Sequence, residues 1–125
     1  MEKKVHDVDG IIKGGPYSHV AEAGGFVFVS GMVPVDLGKD LWVTGNVKEA
    51  TEVVLNNVRK ALESSGSGLD KVVKATVFLR DMADFNSMNE VYEQYFPEKP
   101  PARTCVAVKE LPVGLPLEIE VIAVK

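Results

Sequence analysis

The chain has 125 residues, which suits one domain, because two domains of half that length would each bury a poor core. Lys and Arg number 14 against 18 Asp and Glu, so the formal charge is −4, and the pI is near 5.2. This acidic balance lacks the basic footprint of nucleic-acid binding proteins and argues against RNA or DNA as the main partner.

The N-terminal third of the chain predicts a β-hairpin followed by a loop. Residues 18–23 and 26–30 have strand composition and are joined by Gly24-Gly25, a dipeptide that tolerates the positive φ angles of a tight turn. Residues 26–29 are all apolar, which predicts a strand that is buried on both faces. Residues 32–45 contain a proline and two glycines and are predicted to form a loop.

Two amphipathic helices follow. Asn46 with Glu49 resembles a capping box, and the apolar residues from Val47 to Leu62 are spaced three and four apart, which predicts one buried helix face. Residues 64–68 end this helix, and Asp84 is expected to cap the second one. The inward stripe of the second helix is predicted to be Phe85, Met88, Tyr92 and Tyr95, and prolines 97, 100 and 101 prevent its continuation.

The remaining strands complete an α+β order of elements. A strand is predicted where Val73, Ala75, Val77 and Leu79 alternate with other side chains, and two more are predicted near 102–108 and 116–124, with a possible short strand near 3–6. The order β-β-α-β-α-β-β favours a sheet with both helices on one face. The other face would stay uncovered, and since the mean hydropathy is +0.05, we expect self-association to cover it.

The last two strands carry the candidate chemistry. Arg103 and Cys105 are two residues apart and should project from the same strand face, as should Glu118 and Glu120. If these two strands pair through the short 111–114 connection, an arginine and a carboxylate could line one cleft. The alternative is a solvated sheet face with an ordinary cross-strand ion pair.

The single cysteine bears on both reactivity and location. A thiol nucleophile needs a base such as histidine nearby, and His6 and His19 are both distant in sequence, so Cys105 is interpreted as a structural residue. No His or Cys spacing is typical of a metal site, and we predict no metal. A lone cysteine favours a reducing compartment, and the N-terminus lacks the apolar stretch of a signal peptide, so the protein is predicted to be cytoplasmic and not membrane-bound.

Together these landmarks resemble the RidA/YjgF family of reactive intermediate deaminases. The matching segments run from residue 15 to 124 and are Gly15-Pro16-Tyr17-Ser18, Val29-Ser30-Gly31, Val73 to Leu79, Asp84-Phe85 with Asn89 and Tyr92, Pro101-Ala102-Arg103, and Glu118-Ile119-Glu120. The resemblance implies a chorismate-mutase-like fold, with a mixed β-sheet and two helices on one face, assembled as a homotrimer with clefts between subunits.

The resemblance also implies a reaction. It is the cofactor-free hydrolysis of 2-aminoacrylate and related 2-imino acids to 2-oxo acids and ammonia. Arg103 would hold the substrate carboxylate, and Glu118 would position or exchange protons with the attacking water. The pocket would be lined or supported by Tyr17, Ser30, Gly31, Asn89 and Cys105. One departure is Met32, where many family members have glutamine, and this change leaves the substrate range open.

Two alternative functions remain open at this stage. The first is a trimer that binds 2-oxo acids or other small carboxylates without turnover, for which Arg103 alone would suffice. The second is action on RNA as a translation inhibitor or endoribonuclease, which the negative charge and the absence of a basic stretch argue against.

Overall fold

A computed structural model of the chain describes residues 1–125 and contains a mixed six-stranded sheet. The strands and helices are β1 (Lys4–His6), β2 (Val20–Ala23), β3 (Phe26–Met32), β4 (Val35–Asp36), β5 (Leu41–Trp42), α1 (Val47–Glu63), β6 (Val72–Leu79), α2 (Phe85–Tyr95), β7 (Ala102–Ala107) and β8 (Leu117–Val124). The sheet order is β1-β2-β3-β8-β6-β7, and β4 and β5 form a separate two-stranded ribbon. Only β6 and β7 are parallel neighbours; the other pairs in the sheet are antiparallel.

Both helices pack on one face of the sheet, which we call the helix face, as the α+β prediction required. The core lies between the helices and the sheet. Strand β8 contributes Leu117, Ile119, Val121 and Ala123 to it, all at most 2% exposed. Helix α1 begins at the predicted cap, where the Asn46 side-chain oxygen accepts a hydrogen bond from the Glu49 N–H at 3.0 Å.

The start of α2 differs from its prediction. The Asp84 side chain makes no capping hydrogen bond. Asp81 caps a preceding turn of 3₁₀-helix instead, and its side chain accepts from the Ala83 N–H at 2.9 Å. The cap lies three residues earlier because that extra turn leads into α2 from residue 82. Met88 and Tyr92 are buried as predicted, together with Val91, which the stripe had omitted.

The strand β3 is buried on one face only, so the prediction of two buried faces was wrong. Val27 and Val29 lie in the core, whereas Phe26 and Phe28 are exposed on the opposite face of the sheet, which we call the outer face. A period-two strand whose outward residues are also apolar has the same local pattern as a doubly buried strand. The alternation predicted for β6 also fails at Val73, which is exposed next to a register shift between Val72 and Lys74.

Strands β7 and β8 do not pair, which corrects the expectation of a single cleft between them. Strand β6 lies between them, parallel to β7 and antiparallel to β8. The reason is the connection through α2, because a helical crossover allows the strands at its two ends to lie parallel and adjacent. Strand β8 therefore takes the other side of β6, in the middle of the sheet.

The segment 32–45, predicted as a loop, contains the β4–β5 ribbon. The buried Asn57 of α1 anchors the ribbon, since its amide Nδ2 donates to the Val33 and Val35 carbonyls at 3.2 and 2.9 Å. The Val43 N–H adds a bond to the Pro34 carbonyl at 3.0 Å. Strands of two residues carry no periodic pattern, so sequence could not reveal them.

Candidate active site

Arg103 lies on β7 with its side chain against α2. Its Nη1 donates to the Asn89 Oδ1 at 2.7 Å, and the guanidinium carbon lies 4.8 Å from the Tyr92 ring centroid and 5.6 Å from that of Phe85. The ion pairs of the protein, Lys13–Asp7, Lys48–Glu90 and Lys125–Glu22, do not involve Arg103. The guanidinium is therefore oriented by neutral groups, and most of its five N–H donors remain available to an anion.

Cys105 follows Arg103 on the same face of β7 and packs against the core. Partial burial raises the pKa of the Cys105 thiol, although the positive charge of Arg103 acts in the opposite direction. No histidine or carboxylate forms a hydrogen bond with it. Such a cysteine is a protonated, packed thiol, in agreement with its interpretation as a structural residue.

Glu118 lies on β8 and projects from the outer face. Burial raises the pKa of this carboxyl, and the negative charge of Glu120 raises it further. Gly31 of β3 lies against it so closely that a Cβ added there would be only 2.7 Å from Glu118 Cδ and would overlap the carboxyl oxygen. The carboxyl has no ion pair or side-chain hydrogen bond within the chain, so its surroundings favour neither strong ionisation nor a fixed partner.

Glu118 is the only charged side chain that lines a pocket of about 400 Å³. The walls come from residues 11–19, from the end of β3 with the following ribbon, and from the turn that precedes β8; they comprise Ile11, Ile12, Gly14, Gly15, Tyr17, His19, Gly31, Met32, Val33, Trp42, Pro112, Val113 and Leu115. A volume of this size falls in the range of small-molecule sites, roughly 300–1,000 Å³.

Tyr17 and Ser30 have separate roles in this pocket. The Tyr17 hydroxyl accepts from the Gly14 N–H at 3.2 Å, and its ring lies at the pocket wall. The Ser30 hydroxyl donates to the Ser18 carbonyl at 2.7 Å and does not line the pocket. Ser30 thus supports the site by tying β3 to the segment that carries Tyr17.

His19 is a structural residue. From the sequence it was considered only as a base for Cys105 or as a metal ligand, and both roles were rejected. It is 3% exposed, its Nδ1 accepts from the Val8 N–H at 2.9 Å, and its Nε2 donates to the Ile12 carbonyl at 3.0 Å. Both ring nitrogens are therefore used in the neutral tautomer with hydrogen on Nε2. The ring fastens residues 8–12 beside the pocket. Sequence reasoning also missed Trp42 and Val113 as pocket residues, because both lie in segments without periodicity.

Within one chain, Arg103 and Glu118 lie on opposite faces of the sheet. Arg103 is level with Val121 across β6, three residues from Glu118 along β8. Two strand spacings of about 4.8 Å and three residues of about 3.3 Å separate their Cα atoms by roughly 14 Å. The structure therefore forms two groups of candidate residues. Arg103, Asn89 and Cys105 lie where β7 meets α2, and Tyr17, Gly31 and Glu118 lie around the pocket.

Comparison with known proteins agrees with this architecture. A family described as endoribonuclease L-PSP matches residues 11–125. A RutC family protein of Pyrococcus horikoshii is 47% identical over 111 residues, covering 89% of this chain and 88% of that protein. Protein mmf1 of Schizosaccharomyces pombe, a mitochondrial protein, is 42% identical over 114 residues, covering 89% of this chain and 69% of that protein.

Solved structures show the same fold. The structure of E. coli TdcF with bound serine has a TM-score of 0.91 and 34% identity, covering 98% of each chain. RidA from an Antarctic Psychrobacter has a TM-score of 0.89 and 33% identity, covering 97% of this chain and 98% of its own. Other similar structures are described as an endoribonuclease or a translation initiation inhibitor. Sequence and fold together show that this chain belongs to the RidA/YjgF family.

Proposed function

We propose that the protein hydrolyses reactive 2-imino acids, such as 2-iminopropanoate and its enamine 2-aminoacrylate, to 2-oxo acids and ammonium. The observation that carries the proposal is the Arg103 guanidinium, held by Asn89 and the Tyr92 ring without a carboxylate partner. A planar guanidinium of this kind suits two-pronged binding of a substrate carboxylate. That E. coli TdcF is described with bound serine, a small amino acid, supports a ligand of this size.

One substrate must reach both Arg103 and Glu118, and within a chain the two lie on opposite sheet faces. We therefore propose a homotrimer in which Arg103 of one copy faces the Glu118 pocket of the next. The outer face supplies a surface for that assembly, because Phe26, Phe28, Val106 and Val124 are 38–44% exposed on it. Exposed apolar area of this kind is typical of a subunit interface.

The chemistry requires a proton carrier but no cofactor. A protonated imine is already electrophilic at C2, so the water oxygen can bond to C2 while the C=N electron pair moves to nitrogen and Glu118 accepts a water proton. Glu118 then returns that proton to nitrogen. The C–N bond breaks as the hydroxyl oxygen forms the carbonyl, and Glu118 passes the hydroxyl proton to the departing ammonia. A carboxyl whose pKa is raised by burial is suited to both directions of transfer.

Mixed trimers test the proposal. Arg103→Ala and Glu118→Gln subunits, each with at most about 1% of the parent activity alone, should regain imine hydrolysis when they are unfolded and refolded together. If a site takes Arg103 from one copy and Glu118 from the next, every mixed trimer contains one intact site. Random mixing in equal amounts should then restore about a quarter of the parent activity.

Light scattering should give three times the 13.6 kDa chain mass for parent, single variants and mixture. Absence of ammonia release by the parent protein from freshly generated imine would reject the deaminase and leave the small-carboxylate binder. Active parent with no regain in mixed trimers would reject the two-copy site. The predicted cytoplasmic location stays a prediction, because relatives include a mitochondrial protein.

Action on RNA is the second candidate, since the family is described as an endoribonuclease. The charge of −4 and a pocket whose one charged group is Glu118 both oppose phosphate binding. An RNA affinity that falls steeply with salt would favour this candidate over the deaminase.

A further inference from the structure

The pocket beside Glu118 is larger than the smallest proposed substrate requires. Apart from Glu118, its side chains are mainly apolar, and its volume is about 400 Å³. A 2-iminopropanoate carries only a methyl group beyond its carboxylate and imine. If Arg103 of a neighbouring copy takes the carboxylate and Glu118 lies by the reacting carbon, as proposed above, the rest of this space is left for the substrate side chain.

Trp42 and Val113 are among the exposed apolar side chains of this pocket in a single copy of the chain. Trp42 is 44% and Val113 is 76% exposed, although both line it. Exposed apolar groups in a concave site gain most from an apolar ligand that covers them. A concave pocket of this volume suits a small molecule. Because Glu118 is its one charged side chain, apolar contacts would be the main source of affinity for the ligand's side chain.

Val113 also has an uncommon backbone conformation. Its φ and ψ are 45° and 29°, in the left-handed region that β-branched residues rarely adopt. Strained residues persist where surrounding structure holds them, frequently at ligand sites. Val113 is 76% exposed, so packing in the core does not account for this conformation.

Trp42 is held on a prebuilt support. Strand β5 pairs with β4, with Trp42 opposite Val35, and Asn57 of α1 binds the carbonyls on the β4 side of the ribbon. The indole thus projects from a short ribbon fixed to the core helix. A wall fixed before binding favours ligands that fit it, because little ordering is needed when they bind.

We propose that Trp42 and Val113 form a side-chain subsite that selects 2-imino acids with large apolar side chains, such as those derived from leucine or phenylalanine, over 2-iminopropanoate. This inference rests on the proposed deaminase function. Selectivity in an apolar pocket grows by roughly 10- to 200-fold per methylene-sized contact at most, so a preference of about 10-fold or more is expected.

The test compares the imines of phenylalanine and alanine, generated continuously by an amino acid oxidase with catalase present, and measures ammonia release above the spontaneous rate. The parent should favour the phenylalanine-derived imine in kcat/KM by about 10-fold or more. Trp42→Ala should remove most of that preference, because it should lower kcat/KM for the phenylalanine-derived imine far more than for the alanine-derived imine. Leu37→Ala is the matched control, since Leu37 lies just before β5, is 45% exposed and does not line the pocket.

Val113→Gly provides a second variant that should fold well, because glycine adopts the left-handed conformation without strain. It should keep or raise Tm while lowering the preference for the phenylalanine-derived imine. Equal loss for both imines in Trp42→Ala, or a parent preference for the alanine-derived imine, would overturn the subsite.

Binding of unreactive 2-oxo acids separates this inference from the deaminase. Calorimetry should show phenylpyruvate binding more tightly than pyruvate to the parent and with a smaller advantage to Trp42→Ala. If no imine is hydrolysed, the deaminase proposal fails, and the subsite still stands or falls on this comparison.

Discussion

The two ends of the proposed site are built by opposite means. At the Arg103 end, side chains of α2 hold the guanidinium. We call this contact set the Arg103 cradle: Asn89 accepts a hydrogen bond from the guanidinium, and the Tyr92 ring packs against it. The Glu118 end has no partner for its carboxyl, apolar walls around it and a glycine, Gly31, pressed against it.

The contrast shows how one fold can place two charged residues in environments of opposite character. A guanidinium held by neutral partners keeps its charge and its direction, which suits the binding of an anion. A carboxyl without partners, partly removed from water, has a pKa that burial raises and can gain or lose a proton more readily near neutrality. Changes at each end should therefore fail in different ways.

The largest effect is expected at Arg103. Arg103→Ala removes two charge-assisted hydrogen bonds to the substrate carboxylate, worth about 1.5–3 kcal/mol each, so kcat/KM should fall by about 10³-fold, within a range of roughly 10²- to 10⁴-fold. Pyruvate should also bind more weakly, as calorimetry would show. Arg103→Lys keeps the charge but loses the planar fork, and we expect it to recover only part of the loss. Parent-like pyruvate binding by a folded Arg103→Ala trimer would contradict the cradle's role.

Glu118→Gln should separate turnover from binding. Glutamine has nearly the same shape but cannot carry a proton, so kcat should fall by roughly 10²-fold while the Kd for pyruvate stays within about twofold of the parent value. Ammonia release and calorimetry on one preparation provide both numbers. Hydrolysis at the parent rate would show that the proton carrier lies elsewhere.

Gly31→Ala tests how tightly the carboxyl is placed. The new methyl would overlap Glu118, so the carboxyl must shift, and we expect kcat to fall by about 10-fold or more because reacting groups tolerate little displacement. Gly45→Ala is the control, since a Cβ there meets nothing within 4 Å and Gly45 lies outside the pocket. Equal kcat values for the two variants would indicate that the close contact does not set the geometry.

A smaller effect should appear in stability against pH. Burial raises the folded-state pKa of Glu118 above its unfolded value, so the protonated carboxyl favours folding, and this contribution is lost as pH rises through the folded pKa. Glu118→Gln, which stays neutral, should therefore have a higher Tm than the parent at pH 7. The gap should close below the ordinary glutamate pKa of about 4.3. A gap that grows on acidification would reverse the assigned sign.

The smallest effect is expected at Cys105, which sits at the Arg103 end without taking part in the chemistry. Burial keeps its thiol protonated, so Cys105→Ala should retain kcat within about threefold and lose only packing. Thermal unfolding alongside the ammonia assay checks both. A loss as deep as that of Arg103→Ala in a folded trimer would give the thiol a direct role.

Sequence predicted the elements well because their signals are local. The Asn46 cap and the spacing of apolar residues located α1, and the Gly24-Gly25 dipeptide located the hairpin. It failed where a partner distant in the chain decides the outcome. Phe26 and Phe28 look like core residues until the fold shows which face the helices cover.

Residues of the candidate site were named from the sequence, but their arrangement was not predicted. Arg103 and Glu118 were expected across one strand pair, and no local pattern could show that β6 lies between them. Trp42 and Val113 were missed because short ribbons and irregular turns carry no periodicity. The placement of these residues depends on topology, which sequence spacing alone does not determine.

The central place of β8 has a consequence for synthesis. This strand follows every other strand along the chain, yet it joins β3 to β6 and so connects the two halves of the sheet. Until residues 117–124 have been made, β3 and β6 lack the strand that pairs with both of them, and their edges toward it stay unpaired. A chain cut short before that point should therefore fail to form the six-stranded sheet.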